Sequence, residues 1–309
     1  MPAPAAELFA WHTRAGAFER LTPSWLSLRV VEREGGLYDG DRVVLELRRG
    51  PFRFRWVAVH EGYREGVQFV DRQVSGPFAR FIHTHRVRPD GPQAAWLEDH
   101  VDYALPAGAL GQAAAGRMVA RDLDRFFRFR HARVRDDLAR LHEGVARSGR
   151  TAPLRVVISG ASGLVGSHLA AFLRAGGHRV DRLVRRPTRG PGEIRWDPAA
   201  GDIEGSGLEG ADAVVHLAGE SIASGRWTAA RKREIRESRV DGTRVLAEAL
   251  ARLERPPKVL VSASAVGIYG NRGGEPLVDE SRRARPGSGW SIRAWAWCCR
   301  RAGAPCRGC

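Results

Sequence analysis

The chain has 309 residues, and its 50 Lys and Arg outweigh 35 Asp and Glu, for a net charge of +15. That length suggests two domains, each able to bury a core. No apolar run approaches the roughly 20 residues of a membrane span, and the opening MPAPAAELFAWHTR lacks a signal-peptide pattern, so the expectation is a cytoplasmic protein with no membrane partner.

The positive charge raises nucleic acid as a partner. Only Lys232 and Lys258 are lysines, however, and the arginines run through the whole length with no basic tail. A global arginine bias on solvated faces is therefore expected, and no nucleic-acid partner. The four cysteines (Cys298, Cys299, Cys306 and Cys309) all lie at the end of the chain. That excludes a disulfide framework and gives no cysteine cluster for a metal. The sequence leaves the oligomeric state open.

In chain order, Ala6 to Phe18 reads as a helix ended by Thr22-Pro23. Six alternating segments follow, Leu26–Val31, Arg42–Leu47, Phe52–His60, Gly66–Val74, Ala79–Val87 and Ala95–Tyr103, with glycine or proline between them. Such spacing predicts an antiparallel meander. A long helix is predicted from Gly108 to His142, with Leu123, Phe126, Phe127, Val134, Leu138 and Leu141 on its apolar side. Short helix, curved sheet and long helix together make an α+β helix-grip fold over residues 1–148, enclosing a cavity.

His12, His60, His83 and His85 raise the question of a metal. His83 and His85 are two apart on a strand and so share a face. No carboxylate or cysteine cluster stands near them in sequence. They are read as aromatic-like cavity or surface residues, and no metal is expected. Asp71, Glu98 and Asp99 read either as polar groups of the cavity or as turn and surface residues.

Arg147 to Pro153 is a polar linker. After it, Leu154 to Ser159 is an apolar, mostly β-branched run that reads as a buried parallel strand. Gly160, Gly163 and Gly166 follow at G-x-x-G-x-x-G spacing, and Val165, Leu169, Phe172 and Leu173 continue at helical spacing. Strand, glycine turn and helix N-terminus together form an anion site: backbone N–H groups and the helix dipole face the ligand, and glycine lets the backbone approach a pyrophosphate. A dinucleotide is the expected cofactor.

The predicted second strand, Arg179–Val184, ends in Arg185-Arg186, about 20 residues past the glycines, where a ribose discriminator stands. Arginine there accommodates a 2′-phosphate, so NADP is favoured over NAD. Asp181 is the NAD-favouring rival, but it lies mid-strand. Further strands are predicted at Ile194–Trp196, Ala213–Leu217 and Val259–Ser262, with a helix over about Thr228 to Leu253 that Gly242 lets pack closely. The alternation predicts an α/β doubly wound parallel sheet, a Rossmann domain over residues 153–309.

Two family resemblances rest on these residues. WHTRAGAFERLTPSW (11–25), GPFRFRWVAVHEGY (50–63), QFVDRQVSGPFARFIHTHR (68–86) and LEDHVDYALPAG (97–108) resemble the START-like cyclase/dehydrase superfamily, in the version fused in front of epimerase-like domains. The resemblance implies binding of a small apolar ligand. It departs at the front, where family members usually have a strand before the first helix.

GASGLVG, HLAG (216–219), ESIASGRW (220–227), SRVDGT (238–243) and VSASAVGIYG (261–270) resemble the epimerase branch of the extended short-chain dehydrogenase/reductases. The resemblance implies NADP(H) contacts from Gly160, Ser162, Gly163, Leu164, Val165, Gly166, Arg185, Arg186, Leu217, Ala218, Gly219 and Glu220. It also implies a catalytic role for Ser264, with Tyr269 the nearest phenol. The superfamily's usual Tyr-x-x-x-Lys pair is missing: Gly273 stands four residues after Tyr269, and no lysine follows Lys258. Residues 287–309 depart from the family in composition and read as an aberrant or truncated end that leaves the fifth strand an open sheet edge. Two functions stay open, an NADP(H)-dependent oxidoreductase or epimerase-like enzyme acting on a small molecule, and a non-catalytic NADP(H) and ligand sensor.

Overall fold

The computed structural model describes residues 1–264 and the short strand Trp295–Ala296. Tyr269 and nearly all of residues 287–309 lie outside the described residues. Two compact units result, Met1–Ala152 with Ala171–His178, and Pro153–Ala170 with the residues from Arg179 on. No helix among the described residues is long and apolar enough to cross a membrane.

The first unit opens with α1 (Ala5–Thr13) and α2 (Ala17–Leu21). The sequence predicted one helix here. Gly16 breaks it by adopting φ +96°, a left-handed conformation that glycine reaches at little steric cost. Strands β1 (Ser27–Glu34), β2 (Arg42–Arg49), β3 (Phe52–Arg64), β4 (Gln68–Ser75), β5 (Arg80–Pro89) and β6 (Ala95–Ala104) form an antiparallel meander in chain order.

Helix α3 (Gly108–Ser148) is one and a half turns longer than predicted. It ends where Gly149, at φ +65°, donates its N–H to Val145 O at 2.8 Å, a left-handed glycine stop. The core gathers Leu8, Phe9, Trp11, Leu21, Phe69, Val87, Val134 and Leu138. On β5 the buried positions alternate strictly, Phe81, His83, His85 and Val87. Two of the four are therefore histidines on an otherwise apolar face.

Between α2 and α3 stands a buried ion pair. Arg20 Nε donates to Asp137 Oδ2 at 2.7 Å and Nη2 to Oδ1 at 2.5 Å, with the two residues 9% and 1% exposed. The fork satisfies both carboxylate oxygens, which makes so buried a pair tolerable.

The second unit is a seven-stranded sheet in the order β10-β9-β8-β7-β11-β12-β13. Its strands are β7 (Arg155–Ser159), β8 (Arg179–Val184), β9 (Glu193–Asp197), β10 (Asp202–Ile203), β11 (Ala213–His216), β12 (Val259–Ser264) and β13 (Trp295–Ala296). All pairings are parallel except the β9–β10 hairpin. That hairpin and the 3-10 turn Gly205–Leu208 were not predicted. β12 is not wholly an open edge, because β13 pairs with Ala263 and Ser264. Helix α5 (Ala229–Ala251) and the opening turns of α4 (Leu164–Ala175), as far as Ala170, complete the unit. Thr228 caps α5, its side chain accepting from Arg231 N at 3.2 Å.

Strand order runs outward from β7 through β8 on one side and from β11 through β12 on the other. The ends of β7 and β11 are thus the switch point where ligands bind in such sheets. Ser159, wholly buried at the end of β7, ties the two strands together. Its Oγ lies 2.7 Å from His216 Nδ1 and accepts from Leu217 N and Ala218 N at 3.1 and 3.2 Å. At Gly242 the close approach read from the sequence is not required: a Cβ there would make ordinary contacts, 3.6 Å from the His216 ring and 3.7 Å from Trp196.

Two outcomes are expected in chemical denaturation of the full chain. Asp137→Ala leaves a buried guanidinium unpaired and lowers stability by about 3–5 kcal/mol, whereas replacing both partners by apolar residues of similar volume is close to neutral. Ser159→Ala takes the hydroxyl acceptor from Ala218 N and the partner from His216 Nδ1, while Leu217 N keeps Ser159 O, and lowers stability by about 1–3 kcal/mol.

Candidate functional site: a glycine turn at the switch point

β7 delivers the chain into Gly160 at φ +70°. A side chain there is excluded twice over. The backbone is left-handed, and a Cβ would stand 2.8 Å from Ala218 N and from Leu217 C. Gly160 thus lies flat against the chain leaving β11. Gly163 donates its N–H to Gly160 O at 3.0 Å and closes the turn. A Cβ on Gly166 would overlap Gly160 O, so α4 begins hard against the turn.

The first turn of α4 carries no acidic residue. Its leading amides have no intrahelical acceptor, and the positive end of the helix dipole lies there. Leu164 and Val165 are 72% and 47% exposed, two apolar side chains left in solvent at that end. Ser162 and Gly163 are exposed beside them. The structure therefore brings Gly160, Ser162, Gly163, Leu164, Val165, Gly166, Leu217 and Ala218 together around one turn.

The two arginines after β8 part company. Arg186 forks onto Glu193, with Nη1 at 2.8 Å from Oε2 and Nη2 at 2.6 Å from Oε1. Arg182 reaches the same carboxylate at 2.8 Å, and hydrogen bonds led by Arg186 lower the Glu193 pKa to about 2. Arg185 is exposed. Among the described residues it makes no hydrogen bond or ion pair, and it lies within electrostatic reach of Glu220. Asp181 is 1% exposed and ion-paired with Arg155 at 2.7 Å and Arg179 at 3.2 Å. It is a strut of the sheet and cannot serve a ribose.

Past β11, Gly219 passes 3.2 Å (from the position of a Cβ) beneath Arg239 Cζ. Glu220 pairs with Arg231 at 2.8 Å, and that contact holds its carboxyl below the ordinary range. Glu220 N donates to Ser238 Oγ at 3.0 Å, and Arg239 donates to Glu220 O at 3.1 Å. Arg231 also reaches Ser221 O at 2.7 Å and Ser224 Oγ at 2.5 Å. The loop over residues 220–227 is thus latched to α5, with Ile222 and Trp227 left 56% and 60% exposed. Ser264 is half-buried at the end of β12.

Sequence reasoning missed Ser159 and the latch of Arg231, Ser238 and Arg239. The only local signal for Ser159 is a polar residue closing an otherwise apolar buried strand.

In the first unit, no carboxylate cluster stands near His83 and His85 along the chain. The tertiary structure supplies two carboxylates. His83 Nε2 lies 2.8 Å from Asp99 Oδ1, and His85 Nε2 lies 3.2 Å from Asp71 Oδ2. Asp71 and Asp99 come from the neighbouring strands β4 and β6, so the pattern is invisible along the chain.

Residues 1–129 match the family described as polyketide cyclase / dehydrase and lipid transport, and residues 156–303 match the NAD dependent epimerase/dehydratase family. Epimerase family protein Mb2239 of Mycobacterium bovis is 44% identical over 132 residues, covering 43% of each chain. Epimerase family protein SDR39U1 of Homo sapiens is 38% identical over 118 residues, covering 38% of each. The chain therefore spans less than half the length of these relatives. The crystal structure of a nucleoside-diphosphate sugar epimerase from Corynebacterium glutamicum superposes with a TM-score of 0.72 at 34% identity, over 91% of this chain and 57% of that one. This chain joins a polyketide cyclase/dehydrase-type domain to a domain of the NAD dependent epimerase/dehydratase family.

Proposed function

We propose that the second unit binds NADP(H) and that the protein is an oxidoreductase or epimerase-like enzyme of the extended short-chain dehydrogenase/reductase class. The observation that carries this reading is the Gly160 turn, pressed against Leu217 and Ala218 with the open end of α4 above it. Its geometry suits a diphosphate: glycine where a Cβ would intrude, helix amides outward, and uncovered apolar side chains at Leu164 and Val165.

When bound, a nicotinamide dinucleotide supplies hydride transfer. Ser162 to Val165 would hold its diphosphate, and Leu217, Ala218 and Gly219 would wall the adjoining edge. Arg185 would meet the 2′-phosphate, with Arg186 propping the loop through Glu193. Ser264 would orient the substrate oxygen. The meander crossed by α3 supports a helix-grip reading of the first unit, and so a small apolar ligand there.

One observation favours a second reading. Gly273, four residues after Tyr269, stands where the usual pair has its lysine. In the usual mechanism the lysine lowers the tyrosine pKa so that the phenolate can act as base. Without it, the protein would be an NADP(H) and ligand sensor that does not turn over.

Fluorescence titration of the full chain is expected to show tighter binding of NADPH than of NADH. Arg185→Ala should weaken NADPH binding roughly tenfold to a hundredfold, the worth of a charge-assisted contact, and leave NADH unchanged. Arg186→Ala should keep the preference. Equal affinity for the two nucleotides refutes the assignment. Gly160→Val should remove binding of both. NADPH oxidation with a panel of carbonyl compounds then separates enzyme from sensor: turnover lost in Ser264→Ala supports the first, and binding without turnover supports the second.

A further inference from the structure

The face of β3 to β6 that receives α3 carries a closed set of imidazoles and carboxylates. Cross-strand register makes it: His60 is opposite Asp71, Asp71 opposite His83, and His85 opposite Asp99. His83 and His85 are 3% and 2% exposed, and their ring centroids lie 3.8 Å apart. Phe69 stacks on His85 at 4.1 Å, and Phe127 of α3 stands edge-on to His83 at 4.9 Å. The two rings are locked in orientation by apolar neighbours.

Each ring points one nitrogen at Asp99 and the other at Asp71. On the Asp99 side, Oδ1 is 2.8 Å from His83 Nε2 and 2.9 Å from His85 Nδ1, and His131 of α3 anchors Oδ2 at 2.6 Å. On the Asp71 side, Oδ2 is 3.2 Å from His85 Nε2 and 3.8 Å from His83 Nδ1. A neutral imidazole has one N–H. If both rings aim theirs at Asp99, two lone pairs face an anionic oxygen across the gap at Asp71.

We propose that Asp71, His83 and His85 bind a divalent first-row transition cation of the zinc type. Two donors each about 2.1 Å from a tetrahedral ion lie about 3.4 Å apart, and the observed 3.2 and 3.8 Å bracket that spacing. The three side chains together place one donor atom apiece within 4.8 Å of one another. For His83, Asp99 then has the outer role that a ligating histidine asks for, a carboxylate 2.8 Å from the far nitrogen that fixes tautomer and ring orientation.

A second observation points to the same gap. His60 Nδ1 and Asp71 Oδ1 lie 2.7 Å apart, yet neither makes a hydrogen bond, although His60 is 6% exposed. His60 faces the other carboxylate oxygen of Asp71 and stands outside the three-residue donor set. Asp71, at 29% exposure, is the member through which an ion enters. Two histidines and one carboxylate make a three-ligand zinc set with a position left for water.

The test uses the purified full chain, stripped with a chelator and titrated with Zn²⁺, with bound metal measured by equilibrium dialysis and elemental analysis. One Zn²⁺ per chain is expected. Asp99→Asn should weaken binding about 10–100-fold, and His85→Ala and Asp71→Asn should each remove the equivalent. Far-UV circular dichroism identifies variants that keep their fold. Co²⁺ in place of Zn²⁺ should give a tetrahedral spectrum without a thiolate band, which separates this site from the cysteines at the end of the chain. The proposal is overturned if the folded wild-type chain takes up no Zn²⁺, or if folded Asp71→Asn and Asp99→Asn retain wild-type uptake. In either case the cluster is a protonated ion-pair network.

Discussion

Everything in the second unit follows from how closely two backbones meet at the ends of β7 and β11. Gly160 rests against Leu217 and Ala218 with no room for a methyl group. Ser159, one residue earlier, fixes that distance by bonding across to His216, Leu217 and Ala218. The buried hydroxyl spans the gap between strands, and the glycine beyond it turns the chain upward into α4. Neither residue would do alone. Without the hydroxyl, the Ala218 amide and His216 Nδ1 would lose their partner; with any side chain at position 160, the strands would be forced apart.

Charge in this chain is mostly internal bookkeeping. Arg155 braces Asp181, Arg182 and Arg186 share Glu193, and Arg231 gathers Glu220, Glu234 and the loop carbonyl of Ser221. These guanidiniums act as fixed forks between elements, a task that arginine's planar, permanently charged head does better than lysine's. The strong arginine bias thus has a structural use in the second unit, and Arg185, exposed, takes no part in it.

The first unit shows the opposite economy. A face built for apolar packing carries His60, His83, His85, Asp71 and Asp99 in adjoining registers. Burial alone would push such carboxyls up, but the neighbouring histidines hold Asp71 and Asp99 well below the usual carboxylate range. His83 is lowered to about 4, first by burial and then by the charge of His85. Polar groups placed this deep need each other or a ligand, and they set the chemistry of any cavity they line.

The sequence by itself determined the period of every long element: the six alternating segments, the apolar stripe of α3 and the strand–glycine–helix order at Gly160. These are local facts, written in period-two and period-3.6 patterns and in glycines that must take left-handed backbone. It did not determine that Gly16 splits the first helix, because the apolar pattern runs on across the break. Nor could it say that Arg186 is spoken for while Arg185 is open, that Asp181 is a strut, or that His83 and His85 have carboxylates on both sides. Those were decided by tertiary structure. Partners such as His83 and Asp99, 16 residues apart, or Asp99 and His131, 32 apart, meet only when strand register and helix packing bring them within hydrogen-bond range, and nothing in the neighbourhood of either residue along the chain records the other.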